Sequence, residues 1–120
     1  GYFDPLFGSM ELPKIEGKPK TFVISSGGNG IPIYRKLRKE QIPFIAGILY
    51  QNDVDYQVAK VLAKQVIEET PFEEISNRAY EEAIKAVQMC DTVIDAGVQI
   101  GSANRKLLDI IEEAKRLGKM

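Results

Sequence analysis

Histidine is absent from all 120 residues, and cysteine occurs once, as Cys90. The first absence removes the commonest general base and the commonest metal ligand. A Ser-His-Asp triad, a Cys-His pair and an HExxH zinc site are therefore excluded within this chain. One cysteine permits neither an internal disulfide nor a thiolate zinc site, and a single reduced thiol fits a cytosolic setting. Cys90 follows Val87 and Met89 near the end of a helical pattern, so its expected role is that of a buried apolar residue. No apolar run approaches the ~20 residues of a membrane span, and no signal-peptide pattern opens the chain. Direct membrane insertion is not expected. A GxxxxGK[ST] phosphate-binding loop is missing too, which argues against ATP hydrolysis by this chain alone. Nor is there an excess of either charge: Lys+Arg total 16 against 17 for Asp+Glu, a formal net charge of −1. That balance supplies no electrostatic reason for nucleic-acid binding or for an anionic-membrane patch. The one basic cluster, Arg35, Lys36, Arg38 and Lys39, reads as a solvated helix face.

What is present is regular from Thr21 onward. Residues 1–20 differ: Tyr2 to Met10 is aromatic and punctuated by Pro and Gly, and Pro13, Gly17 and Pro19 follow. No 3.6-residue period survives there, so the stretch reads as an arm and linker that resembles the cut end of a longer protein. Exposed Tyr2, Phe3, Leu6 and Phe7 would be costly, and they are expected to pack against something. The domain proper is expected over 21–120. Thr21–Ser25 is an apolar run ending in Ser26-Gly27-Gly28-Asn29-Gly30, and Pro32 sits where a helix accepts proline, in its first turn. Ile33, Tyr34, Leu37 and Gln41 carry that helix onward. Phe44–Tyr50 is a second buried-strand run. Asn52 or Asp53 caps a helix whose Val54, Val58, Val61 and Leu62 share one face. Gln65–Glu69 is a weaker third strand and Phe72 to Ile75 a connector. Ser76 opens a helix with Tyr80, Ala83, Ile84 and Val87 on one side. Thr92–Asp95 is the fourth strand. Ser102 caps a last helix with Ala103, Leu107, Ile110, Ile111, Ala114 and Leu117 inward, stopped by Gly118. Four strand-helix alternations with continuously apolar strands indicate a mostly parallel sheet covered on both faces. The expected class is a three-layer, Rossmann-like α/β domain of strand order 3-2-1-4.

In such sheets ligands bind at the carboxyl ends of the strands where the order reverses, here between the first and fourth strands. The two loops at that point are 25–30 and 95–101, the second running into Asn104. Amides at helix starts attract anions, so a nucleotide, phosphate or carboxylate is physically plausible. The dinucleotide fingerprint fails in its strict form. Gly28 and Gly30 supply its first two glycines, but Ile33 stands at the third. Asp53 or Asp55 falls near the position of its ribose-binding acid, and both are equally well explained as first-turn acids favoured by the helix dipole. Glu68, Glu69, Glu73 and Glu74, around Pro71-Phe72, read as a solvated loop.

The succession ISSGGNG, AGILYQNDVDYQVAKVLAKQVIEETPFEEIS and DTVIDAGVQIGSANRKLL resembles the C-terminal accessory domain of ATP-binding subunits of ABC importers of the iron-siderophore and vitamin B12 (metal-chelate) type. The matching positions are Gly27, Gly28 and Gly30; Gly47, Asn52, Asp53 and Asp55; Pro71, Phe72, Ile75 and Ser76; and Gly101 with Asn104. Two departures stand out. Ser-Ser and Asn29 occupy a loop where the family runs in glycine, and the chain reaches Met120 without the family's further strand. The resemblance implies a non-catalytic regulatory or ligand-sensing module on the cytoplasmic side, peripheral to the inner face of the membrane. It implies an upstream ATPase domain using ATP and Mg, with membrane permease subunits as partners, and leaves the module's own ligand and cofactor unknown. Ser26, Gly27, Gly28, Asn29, Gly30, Asn52, Asp53, Asp55, Gly97, Gly101 and Asn104 are the expected binding rim, with no catalytic residue and no metal. Two other readings stay open: a nucleotide- or dinucleotide-binding domain of a cytosolic enzyme, and a dimerisation module working through the arm Tyr2–Phe7.

Overall fold

Each apolar run is buried on both sides, and the way its residues divide sets the architecture. The computed structural model describes residues 19–50, 53–63, 65–67, 70–71, 75–97 and 105–120. In chain order the elements are β1 (Thr21–Ser26), a 3-10 turn (Gly27–Gly30), α1 (Ile31–Lys39), β2 (Phe44–Tyr50) and α2 (Asp53–Leu62). Then come β3 (Gln65–Val66), β4 (Thr70–Pro71), α3 (Asn77–Met89), β5 (Thr92–Ala96) and α4 (Arg105–Arg116). Alternation along β1 sends Phe22 and Ile24 into one core cluster and Val23 into another. The first cluster lies under α3 and α4, with Ala83, Val87, Leu107, Ile110 and Ile111; the second lies under α1 and α2, with Tyr34, Phe44, Val58, Ala59 and Leu62.

Among the described residues all strand pairings are parallel, and the path is β3-β2-β1-β5. The expected three-layer class and 3-2-1-4 order hold. Right-handed crossovers explain the layers: moving outward from β1 to β2 to β3 puts α1 and α2 on one face. Crossing back to the other side of β1 puts α3 on the opposite face. The expected third strand is split. Gln65 and Val66 pair with Ile45 and Ala46, and Thr70 and Pro71 pair with Leu49 and Tyr50, so β3 and β4 are two pieces on one edge. Pro71 cannot donate to a ladder, and an edge position tolerates that.

The helix boundaries correct some expectations and bear out others. Pro32 stands in the first turn of α1 as expected. Gln41 does not continue that helix: α1 ends at Lys39, and Gln41 sits at φ 61°, in the left-handed region that ends a helix. Ser76 caps α3, its hydroxyl accepting from the Ala79 amide at 3.1 Å. Gly118, at φ 71°, stops α4, with the Lys119 amide returning to the Ala114 carbonyl at 3.0 Å. Leu117 is exposed rather than inward, because the chain has left the helix by that residue. Cys90 is fully buried, as expected of it. In the basic cluster Arg35, Lys36 and Lys39 are exposed. Arg38 is half-buried, and desolvation pulls its guanidinium below its usual pKa. Expectations for residues 1–18, Phe72, Ser102 and Ala103 lie outside the described residues.

Candidate functional site

The sheet delivers the carboxyl ends of β1 and β5 side by side, with Ser25 paired to Ala96. From β1 the chain passes through extended Ser26 directly into the 3-10 turn and on into α1. From β5 it turns at Gly97, whose φ is +85°. The two turns touch. A Cβ placed on Gly97 would meet Asn29 Nδ2 at 2.8 Å and Asn29 Cβ at 3.1 Å, so the Asn29 side chain lies directly over the Gly97 backbone. Gly97 is thus required twice, by its conformation and by this contact. Gly28, Asn29, Asp95 and Gly97 are all exposed at the mouth, and Ser26 is half-buried.

Beneath the mouth is a pair of hydroxyl groups. Ser25 is fully buried at the end of β1, and its Oγ lies 2.7 Å from the Tyr34 hydroxyl. Tyr34 reaches down from α1 and stacks on Phe44, ring centroids 5.4 Å apart. Room for that ring comes from Gly30. A Cβ there would stand 2.7 Å from the Tyr34 ring and hydroxyl and 2.8 Å from Ser25 Cβ. Gly30 itself has ordinary helical angles, φ −83° and ψ −13°, so close packing of helix on strand is what demands glycine. Ser25 and Tyr34 were not among the expected site residues. A serine inside an apolar strand, nine residues before the only tyrosine of the following helix, is the signal that could have found them.

The remaining expected rim residues divide. α2 begins at Asp53, which puts Asp53 and Asp55 in its first turn, at the carboxyl end of β2 beside β1. Gly27 is the first residue of the 3-10 turn. Asn52, Gly101 and Asn104 lie outside the described residues. Among the described residues no group of His, Cys, Asp or Glu is arranged to hold a metal ion. Two other hollows compete poorly. A groove outside α3 and α4, lined by Tyr80, Ile84, Asp109, Glu112, Glu113 and Arg116, is open to solvent, and two of its lining residues, Glu113 and Arg116, are already paired to each other at 2.7 Å. An apolar cavity of about 20 Å³ beside Phe22, Gly47, Ile67 and Ile110 is a packing void without the polar partners a water would need.

Fold and site together define a doubly wound parallel α/β domain whose two strand-end turns meet at its switch point through Asn29 and Gly97. The MJ0874 family model matches residues 44–120, and the chain belongs to that family. A relative, uncharacterized protein MJ0874 of Methanocaldococcus jannaschii, is 39% identical over 75 residues, which make up 62% of this chain and 81% of that protein. No solved structure matches. The matched stretch begins at the first residue of β2, so Gly97 falls within it, whereas Ser25, Asn29 and Tyr34 precede it.

These findings overturn the resemblance to importer accessory domains. The matching family is a different one, and its Methanocaldococcus member is little longer than the 75 residues aligned, too short to carry an ATPase domain as well. The iron-siderophore and cobalamin associations fall with it. The motifs behind the resemblance have structural explanations of their own. Ser76 is a helix cap. Gly47 gives way to Phe22, whose ring would stand 2.9 Å from a Cβ there. Gly30 admits Tyr34. Among the described residues no helix is long and apolar enough to cross a membrane.

Proposed function

We propose that this domain is a non-catalytic ligand-sensing module whose ligand, a small anion such as a nucleotide, phosphate or carboxylate, sits at the carboxyl ends of β1 and β5. The observation that carries the reading is the contact of Asn29 with Gly97 at the point where the strand order reverses. A ligand seated there touches both turns at once, and their packing gives it a way to alter both. The exposed backbone at Gly28 and Asn29 lines the meeting point of the turns and can offer main-chain donors to an anion, whereas at the start of α1 the Ile31 amide already donates to the Gly28 carbonyl and Pro32 has no N–H. The absence of histidine and of a phosphate-binding loop supports sensing over catalysis.

The rival reading, a dinucleotide enzyme, finds less support. Ile33 fills the third fingerprint position and packs against the core under α1. Isothermal titration of the full chain with ATP, AMP, NAD(P) and inorganic phosphate, with amide NMR of Gly28, Asn29, Gly30 and Gly97, tests the proposal. Binding should shift those four signals together. Silence with every compound at millimolar concentration overturns it.

A further inference from the structure

Charge is divided between the two faces of the molecule. α1 carries four cations, Arg35, Lys36, Arg38 and Lys39, and no acid within its nine residues; Glu40 is the first, just past its end. Pro32, Arg35, Lys36 and Lys39 recur at i, i+3, i+4 and i+7, and all four are exposed, so they form one outward stripe of the helix. Tyr34 takes the opposite side of α1 into the core. The stripe is therefore turned away from the sheet.

The other face carries a complement to it. Tyr80 and Ile84 of α3 and Asp109, Glu112, Glu113 and Arg116 of α4 line one open groove. The α4 residues recur at i, i+3, i+4 and i+7, as the cations of α1 do. Tyr80 and Ile84 are half-buried and packed on the core beneath, so the floor of the groove is apolar. Arg116 is engaged by Glu113 through two hydrogen bonds, while Asp109 and Glu112 are exposed at the rim. Three carboxylates against one guanidinium give the lining a net charge of −2. Arg105 lies a turn earlier on α4, outside the lining. An apolar floor with an acidic rim suits Lys and Arg side chains, whose aliphatic stems lie on the floor while their charged ends reach the carboxylates. The Tyr80 ring can also take a cation on its face.

We propose that the α1 stripe of one copy docks in the α3–α4 groove of a second copy, with Arg35, Lys36 and Lys39 set against Asp109 and Glu112. α1 packs on one face of the sheet and α3 and α4 on the opposite face, so a chain cannot make this contact with itself. Two different surfaces meet, and every copy owns both, so association runs head to tail instead of stopping at a two-fold dimer. One helix in one groove buries little surface, which makes the contact weak and reversible. Its charges are partly solvated, so salt weakens it. Neither Asn29 nor Gly97 takes part, and the contact stands apart from the ligand reading.

Sedimentation of the full chain from ~10 μM to ~1 mM, the range of weak association, tests the proposal. The weight-average mass should climb with concentration at ~0.02 M salt and return to that of the monomer at ~1 M, where charges are screened within a few ångströms. Two charge reversals extend the test: Asp109→Lys with Glu112→Lys in one variant, Arg35→Glu with Lys36→Glu in the other. All four positions are exposed, and far-UV circular dichroism checks that both variants fold. Each variant alone should stay monomeric throughout. An equimolar mixture should associate again, because the unaltered stripe of the first meets the unaltered groove of the second. A monomeric unaltered protein at the highest concentration and low salt overturns the proposal. So does self-association that survives either reversal, or a mixture that stays monomeric.

Discussion

The hydroxyl groups of Ser25 and Tyr34 meet at 2.7 Å in the interior, one from the penultimate residue of β1 and one from the helix that follows it. Ser25 is the buried polar residue of the described core, and the bond bears on how closely α1 approaches the sheet below the meeting point of the two turns. Tyr34→Phe removes a partner of a fully buried hydroxyl. Chemical denaturation should show a loss of about 1–3 kcal/mol, and Ser25→Ala added to it should recover part of that loss. Strict additivity of the two substitutions would refute the coupling.

Gly30→Ala should destabilise by about 1–3 kcal/mol, because the new methyl has nowhere to go but into Tyr34 and Ser25. Combining it with Tyr34→Leu, which withdraws the hydroxyl and ring edge, should lower its cost. An undiminished penalty in that background would mean that backbone strain is responsible.

Gly97→Ala carries two penalties, a left-handed backbone and the Asn29 side chain in the way. A loss of at least ~1 kcal/mol is expected from the backbone alone. Asn29→Ala should relieve only the second, so the cost of Gly97→Ala should fall in that background without vanishing. A thermal-denaturation cycle of the four proteins measures this, and independence of the two sites would contradict the contact between the two turns.

Cys90 titrates upward in the fold. Burial raises its thiol pKa chiefly by desolvation; nearby Lys119 pulls it down and Asp91 pushes it up. The folded state thus holds this proton more tightly than the unfolded chain. Its contribution to stability is complete below the ordinary thiol pKa of ~8.5 and is lost as pH rises through the higher folded value. Denaturation curves between neutral and alkaline pH should show a decline that Cys90→Ala lacks. Parallel curves for the two proteins would contradict the burial seen here.

At the surface, the Arg116 guanidinium grips Glu113 in a two-bond pair, at 2.9 and 2.7 Å. That bond holds the Glu113 carboxyl below its usual pKa. NMR titration of Arg116→Ala should return Glu113 toward the ordinary carboxylate range, with little change in stability because the pair is solvent-screened. An unmoved Glu113 pKa would assign the shift to another group.

Legibility differed by element. Pro32, Ser76 and Gly118 act through their own backbone neighbourhoods, so a helix start, a cap and a stop could be read residue by residue. Strands buried on both faces announced themselves as unbroken apolar runs, and their alternation with helices implied the parallel order. The third strand was harder, since residues 65–71 carry a proline and too little apolar sequence to mark where pairing lapses. Gln41 and Leu117 look periodic with their helices but stand just beyond them, where chain reversal overrides periodicity. Motif order misled about kinship because the glycine under Tyr34 and the serine at the start of α3 are explained by local packing and capping and carry no information about kinship.

By itself the sequence determined which residue types are missing, the layered parallel class and which residues stand in the two strand-end turns. Those follow from residue types and local spacing. Only the tertiary structure decided that Asn29 rests on Gly97 and that Gly30 exists to seat Tyr34 against Ser25. These pairs stand far apart along the chain or face each other across a layer. Their distances come from the crossover geometry that folds helix onto strand, which no local pattern encodes.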